Sequence, residues 1–329
     1  MRLRRRMMLL AALALAGAIC AAPVSGLAQS YPTRAVQLVV AYSAGGTGDV
    51  VARILAVKLS EALGQSVVVD NRPGASGAIG TQAVARAAPD GHTLLVGQTG
   101  EIVVNPHWIK GLGYDPDKDL VPVALASVVP LALVVPGNAP YSTVAELMAA
   151  ARSGTKPLSF ASAGTGTPGH FAGEALKLKA EGRMVHVPYK GAGPALNDIL
   201  GGHVDLYFSG LPAAMPHVKT GKIKALAVST AKRSASAPDL PAVAETAGFE
   251  GFDLSLWQAF FAPRGTPPEV VKRLHDTINK ILAEPETRKR LEGLGADVTP
   301  LSQEAFATFV RTQSDRYRDL VKATGVAQQ

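Results

Sequence analysis

Cysteine is almost absent: one residue, Cys20, in a chain of 329. It falls in an N-terminal segment laid out as a secretory signal, so the processed chain carries no thiol. That excludes disulfides and cysteine-ligated metal centres, and it suits an oxidising compartment. Aromatic residues make up 5% of the sequence and charged residues 18%. No Lys/Arg cluster interleaved with aromatics occurs, so the usual footprint of nucleic-acid binding is missing. Beyond residue 22 no apolar run approaches the ~20 residues that span a bilayer.

What opens the chain is a cationic group, Arg2, Arg4, Arg5 and Arg6, then an apolar stretch over 7–22 ending in small residues. That is the order of a cleavable export signal. Cleavage is expected after Ala28, with Gly26 and Ala28 as the small pair; a cut after Ala22 would leave Pro23 first. The stretch is too short for a membrane anchor, and Ile19 before Cys20 fits lipoprotein processing poorly. Removing residues 1–28 takes away four arginines and no acid, lowering the formal charge from +7 to +3. About 300 residues remain, enough for two α/β domains with real cores. The expected product is soluble, exported to the periplasm and monomeric.

Short apolar runs bounded by Gly, Pro and Asp predict strands over 36–41, 66–70, 93–97, 131–135, 158–161, 184–187, 205–208 and 225–229. Helical periodicity predicts helices over 50–63, 143–152, 171–181, 194–200, 267–283, 285–294 and 303–324. Thr143 with Glu146, and Thr266 with Glu269, read as capping boxes, the second with Pro267 at the first helical position. The alternation predicts a parallel-sheet α/β architecture. The helix-rich last third is expected to wrap back onto the first domain.

Two of these strands end in Gly/Ser/Thr turns that open into helices. The first turn is Tyr42-Ser43-Ala44-Gly45-Gly46-Thr47-Gly48-Asp49; the second is Ser162-Ala163-Gly164-Thr165-Gly166-Thr167-Pro168-Gly169-His170. Each should aim backbone N–H groups and hydroxyls at one point, backed by a helix dipole. Two such turns, far apart in sequence, suggest two domains holding an anion between them. Gly45 and Gly46 allow close backbone approach, and Thr47 can cap its helix. Asp49 is expected to pair with Arg53 or fix the turn. In the second turn Ser162, Thr165 and Thr167 offer hydroxyls, and Gly164–Gly166 form an N–H nest. His170 reads equally as a ligand contact or as a helix-end, interdomain hydrogen-bonding residue. His186 is expected to be packed, and Tyr189 to close over the cleft or join the core. Gln98 and Thr99 end a strand on the cleft side, as does Ser209 between Phe208 and Gly210. Trp257 lies where the chain should cross back between domains. Glu101 is expected to face solvent, since in the pocket it would repel a carboxylate.

Residues 164–169 also spell G-x-G-x-x-G between a strand and a helix. A dinucleotide site would want an acid at the end of the next strand, and that strand runs Val187-Pro188-Tyr189-Lys190. Pro168 inside the motif and export from the cytoplasm also argue against it. No G-x-S-x-G elbow occurs, Gly74-Ala75-Ser76-Gly77 lacking its spacing. The seven histidines show no metal-ligand spacing. A Ser162/His170 nucleophile pair lacks an orienting acid. No cofactor, metal or catalytic residue is expected; an exported carboxylate-ester hydrolase is the weaker alternative.

Across the mature chain the residues resemble the Bug/TctC family, the extracytoplasmic solute receptors of tripartite tricarboxylate transporters. The motifs are Tyr31-Pro32; Ala44-Gly45-Gly46 with Asp49; Asn71-Arg72-Pro73-Gly74; Pro89-Asp90-Gly91; Tyr114-Asp115-Pro116; the Gly164/Gly166/Thr167/His170 turn; His186-Val187-Pro188-Tyr189-Lys190-Gly191; Leu200-Gly201-Gly202; Val204-Asp205; and Ala262-Pro263 with Gly265-Thr266-Pro267. The resemblance implies a two-domain periplasmic binding protein with two hinge-crossing strands. The chain would leave the first domain near Ala126 and return near Leu254. Residues 29–127 and 254–329 would then form the first domain and 128–253 the second. It implies a small organic carboxylate as ligand, membrane permease subunits as partners, and a first turn that supplies backbone donors. Tyr42 stands where the family leads one to expect Phe, and Ser209 where many members carry an acid or Asn. A ligand-dependent sensor docking onto a membrane kinase would share this fold and pocket.

Overall fold

The computed structural model describes residues 31–44, 47–181, 183–189 and 192–325. The export signal, its cleavage point at Ala28, and Gly45 and Gly46 lie outside the described residues. The chain divides into two compact units, Met1–Thr33 and Arg34–Gln329, and both sheets belong to the second.

The first sheet has the order β2-β1-β3-β10-β4, from β1 (Val36–Val40), β2 (Val67–Asn71), β3 (Thr93–Gln98), β4 (Leu120–Val129) and β10 (Leu256–Pro263). The second has the order β7-β6-β8-β5-β9, from β5 (Leu131–Pro136), β6 (Leu158–Ser162), β7 (Met184–Pro188), β8 (Leu206–Gly210) and β9 (Ile223–Val228). The eight strands anticipated from apolar runs are all here, within a few residues. So are the seven helices, which flank the sheets.

The expectation of parallel sheets is corrected: both are mixed. β1 is parallel to β2 and β3, and β6 to β7 and β8. β10 runs antiparallel to β3 and β4, and β5 antiparallel to β8 and β9. The cause is connectivity. β4 passes into β5 through Pro130 alone, with no helix to turn the chain round, so β5 enters its sheet reversed. β10 returns to the first sheet after residues 229–255, whose one helical stretch is the 3-10 turn Val243–Glu245. Neither β4 nor β10 shows in the apolar pattern; only the resemblance implies strands crossing near Ala126 and Leu254. β4 carries Pro122 near its start, and the β10–β4 register slips beside it and again at Gln258/Ala259, as proline in a strand demands.

The β4–β5 and β10 segments are therefore the covalent crossings between sheets. They are tied to each other: Leu254 N–H donates to Ser229 O at 2.9 Å, and Leu131 N–H to Ser229 Oγ at 3.0 Å. The helix Gln303–Thr324 covers this junction. Phe306 packs on Phe261 and Phe309 on Trp257, with ring centroids 5.7 and 5.8 Å apart. Tyr317 meets Phe171 of the helix Pro168–Lys179 edge to face at 5.8 Å. The last helix thus returns to the first sheet, as expected, and also reaches the second. Burying side chains of this size contributes about 1.5–3 kcal/mol each.

Two helix caps differ from one another. Thr143 accepts from Glu146 N–H at 3.1 Å, while the Glu146 carboxylate takes the Ser142 N–H at 2.7 Å. Thr266 caps nothing: its hydroxyl donates to Pro263 O, and the helix Pro268–Ala283 begins one residue later than anticipated.

Candidate functional site

The helices Thr47–Leu63 and Pro168–Lys179 start at the C-terminal ends of β1 and β6, strands of different sheets. Between those ends lie two cavities that share Thr167, Pro168 and Leu256. The smaller, about 150 Å³, is mostly apolar in surface but carries polar side chains from both sides, Tyr42, Ser76, Gln98 and Asn105 on the first-sheet side and Thr165 and Thr167 on the other. The larger, about 240 Å³, runs deeper along Val129, Leu131, Ala163, Tyr207 and Phe208, with Thr47 at its edge. No Arg, Lys, Asp or Glu is among the described residues lining either. An anion here would meet neutral donors and helix dipoles.

The second turn spends most of its polar groups on its own shape. Thr167 Oγ1 donates to Gly164 O at 2.7 Å and accepts the His170 N–H, capping its helix. Ser162 Oγ lies 3.0 Å from Gly164 O and 2.7 Å from His186 Nε2. The Gly166 N–H donates to His170 Nδ1 at 3.2 Å, so His170 is neutral with its proton on Nε2. Gly166 holds φ 82°, a conformation that needs glycine. Among the described residues, Thr165 is the turn's one hydroxyl residue without a hydrogen bond to protein, and it faces the smaller cavity.

His170 and His186 stack at 4.0 Å. Burial, then His186 and Lys177, push His170 down to about 3; burial, then Lys177, push His186 down to about 4. His170, Glu174 and His186 bring one donor atom each within 4.8 Å of one another, a possible cation cluster the sequence spacing did not disclose. The rings lie nearly face to face, so their in-plane lone pairs run side by side. One nitrogen of each is already hydrogen-bonded, and Lys177 sits 3.4 Å from the Glu174 carboxylate. The cluster reads as the brace behind the turn.

On the first-sheet side Tyr42 reaches the smaller cavity from the end of β1, and its hydroxyl lies 2.8 Å from Glu101 Oε2. The other carboxyl oxygen, Oε1, accepts the Gln98 N–H at 2.7 Å. Glu101 stands in a π-helical turn, Gly100–Val104, and is 0% exposed. The expectation that it faces solvent is thus corrected. Burial raises its carboxyl to about 8, against the hydrogen bonds from its own amide, Tyr42 and Gln98. Burial and the neighbouring Glu101 raise the Tyr42 phenol well above its ordinary value.

The remaining anticipated residues divide. Gln98 lines the smaller cavity, and its amide also packs against Gly48. Ser43 and Ala44 are exposed and line neither cavity. Ser162, Gly164 and His170 shape the turn from behind. Thr99 is a junction strut: its hydroxyl donates to Ser255 O at 3.1 Å and accepts the Trp257 N–H at 2.9 Å. Trp257 is 0% exposed, buried among Phe261 and Phe309, and does not reach the cleft. Ser209 is buried with its hydroxyl on Gly210 O, while Phe208 and Gly210 on either side line the larger cavity. Asp49 pairs with Arg53 at 2.9 Å, as expected. Tyr189 packs against the second-sheet core and bonds Asp198. Sequence reasoning missed Asn105, Ser76, Leu256 and Trp108. Only the last carried a signal, as one of two tryptophans.

A family model described as the tripartite tricarboxylate transporter family receptor matches residues 51–326. Protein BugT of Bordetella pertussis is 35% identical over 306 residues, covering 93% of each chain. The solved structure of R. palustris Rpa4515 with adipate superposes with a TM-score of 0.80 at 37% identity, over 90% of this chain and 99% of that one. MatC from Rhodopseudomonas palustris, with bound malate, gives 0.75 at 34% identity, over 88% and 100%.

Proposed function

Since the chain belongs to the tripartite tricarboxylate transporter receptor family, a family of solute-binding proteins, we propose that it captures a small organic carboxylate in the periplasm and delivers it to membrane permease subunits. Its two sheets act as hinged lobes, residues 29–127 with 254–329 and residues 128–253, closing by rotation about the β4–β5 and β10 crossings. The carrying observation is the pair of helix N-termini facing a cavity with neutral donors and no basic side chain. A carboxylate there is held by Thr165, Tyr42 and backbone N–H groups. The apolar larger cavity takes the carbon body of the acid. Donors from both lobes are satisfied together only when the lobes meet, so ligand shifts the population to the closed state. This reading calls for no cofactor and no turnover.

Adipate and malate, the ligands named with two related structures, are the first candidates. A thermal-shift screen of mono-, di- and tricarboxylic acids tests the reading. A ligand at 100 times its Kd adds about 2.7 kcal/mol of stability. A panel in which no acid raises the melting temperature, while a neutral solute does, would refute it. A sensor role for the same pocket differs only in the partner that recognises the closed form.

A further inference from the structure

Resting on the carboxylate reading of this cleft, we propose that Glu101 is its proton-linked specificity residue: an anionic ligand oxygen docks at the Tyr42 hydroxyl only with a proton on the Glu101 carboxyl, and the protein takes that proton up on binding wherever the carboxyl is ionised beforehand.

Position carries the argument. The Glu101 side chain is fully enclosed, yet it lies one phenol away from the cavity. Its Oε1 is occupied by the Gln98 N–H, which leaves Oε2 facing the Tyr42 hydroxyl as the place for a proton. Ionised, Oε2 accepts the Tyr42 O–H, and the phenol shows the cavity only its lone pairs and a negative charge behind them. Protonated, Oε2–H donates to the phenol oxygen and releases the Tyr42 hydrogen. That hydrogen then has Ser76 O, 3.3 Å away, or a ligand oxygen in the cavity. The proton comes from solvent, and no covalent bond changes.

Hydrogen bonds from its own amide, Tyr42 and Gln98 favour the ionised form, but among the described residues no cation is paired with it. Besides Tyr42, the titratable group at this turn is Tyr114, whose hydroxyl donates to the Glu101 carbonyl at 2.6 Å. Asn105 and Thr81 nearby are neutral. The Asp49–Arg53 pair connects to Tyr42 through Asn71, which donates to the Tyr42 carbonyl. On the helix Gln303–Thr324, packed on the other side, Asp315 and Arg318 pair with each other. A ligand carboxylate and an ionised Glu101 would thus be two negative charges flanking one phenol. Burial already holds the carboxyl near 8, and an incoming anion raises it further. A ligand presenting a donor, such as an ammonium, would favour the ionised form and reverse the slope.

Calorimetry with adipate, malate and the wider acid panel, in buffers of different ionisation heat, tests this from pH 6 to 9.5. The expected result is a plateau at low pH, a fall in affinity approaching tenfold per unit above about pH 8, and proton uptake on binding that rises toward one. Glu101→Gln should show a flat profile and no uptake, its amide N–H₂ taking the place of the acid O–H. Infrared difference spectra of the ligand-free proteins should show, at pH 7, a protonated carboxyl band absent from Glu101→Gln. A flat wild-type profile, a slope that survives Glu101→Gln, an affinity that rises with pH, or an ionised Glu101 at pH 7 each overturns the proposal. Silence across the acid panel at every pH overturns the carboxylate reading and this proposal together. Binding without a slope overturns this one alone.

Discussion

Gly166 sits in the second turn, and a side chain there would strike Trp108 on the first-sheet side. A Cβ built on it lies 2.5 Å from Trp108 Cζ3 and 2.9 Å from Cε3. Trp108 is 1% exposed, at the end of the short helix Asn105–Trp108 on the first-sheet side. Its ring therefore has little room to retreat. Gly166→Ala has two separable effects. The φ of 82° costs an alanine about 1–2 kcal/mol, with the lobes together or apart, because it belongs to the turn itself. The overlap with Trp108 costs about 1–3 kcal/mol and, on the hinge reading, exists only while the lobes are apposed. The first effect lowers the melting temperature of the free protein; the second removes population from the closed state, so affinity falls by about 5- to 150-fold. Calorimetry with a ligand found in the screen, small-angle scattering with and without it, and melting of the free protein separate the two. Trp108→Leu should relieve the overlap, so Gly166→Ala binds relatively better in that background. If Gly166→Ala melts lower but keeps its affinity and ligand-induced compaction, the Trp108–Gly166 contact is no part of closure.

Thr165→Ala should weaken binding by about tenfold with stability retained, as calorimetry and melting will show, whereas Thr167→Ala loses a helix cap and about 1 kcal/mol of stability. Methyl esterification of the bound carboxylate should weaken binding by about 1.5–3 kcal/mol, the worth of a hydrogen bond to a charged group; an ester bound as well as its acid contradicts the site. His170 and His186 titrate near 3 and 4 in the folded chain and near 6.5 when unfolded, so the unfolded state binds more protons in between. Stability present above pH 6.5 is therefore lost as pH falls, by up to about 1.4 kcal/mol per unit for each. Glu101, raised from 4.5 to about 8, slopes the opposite way across that window, so urea unfolding at pH 7 and 5 is best read in the Glu101→Gln background. Gly173→Ala, whose Cβ would meet the Phe160 ring at 2.2 Å, should lower stability by about 1–3 kcal/mol or more, and any protein still folded should keep its pH profile of binding.

The parts of the fold that announce themselves in sequence are those whose pattern is local. β1, β3 and β5 are short apolar runs cut off by Gly, Pro or polar residues, and the helix Pro268–Ala283 is plainly amphipathic, so each could be placed. β4 and β10 could not be read as strands from local pattern. Pro122 and the slipped register beside it disguise the first, and the direction of both depends on a crossing that only the whole topology defines. The family resemblance implied crossings near Ala126 and Leu254, where composition gave nothing; in the structure β4 passes into β5 at Pro130 and β10 starts at Leu256. The two turns were legible because Gly, Ser and Thr after a strand have few other uses.

How those turns use their polar groups was not legible, and the reason is physical. A hydroxyl at Ser162 or Thr167 can serve a ligand or the backbone two or three residues on, and the choice depends on neighbours such as His186 that are distant in sequence. Here the backbone wins: Ser162 Oγ and Thr167 Oγ1 both lie within hydrogen-bond reach of Gly164 O. Glu101 shows the same limit from the other direction. A lone glutamate after a Gly reads as a surface residue, since burying one without a cation is expensive. Both its carboxyl oxygens are taken, one by the Gln98 N–H three residues back at the end of β3 and the other by Tyr42, a partner distant in sequence at the end of β1. Such an arrangement is stable at neutral pH with the proton on, and it turns a residue that would repel the ligand into one that responds to it.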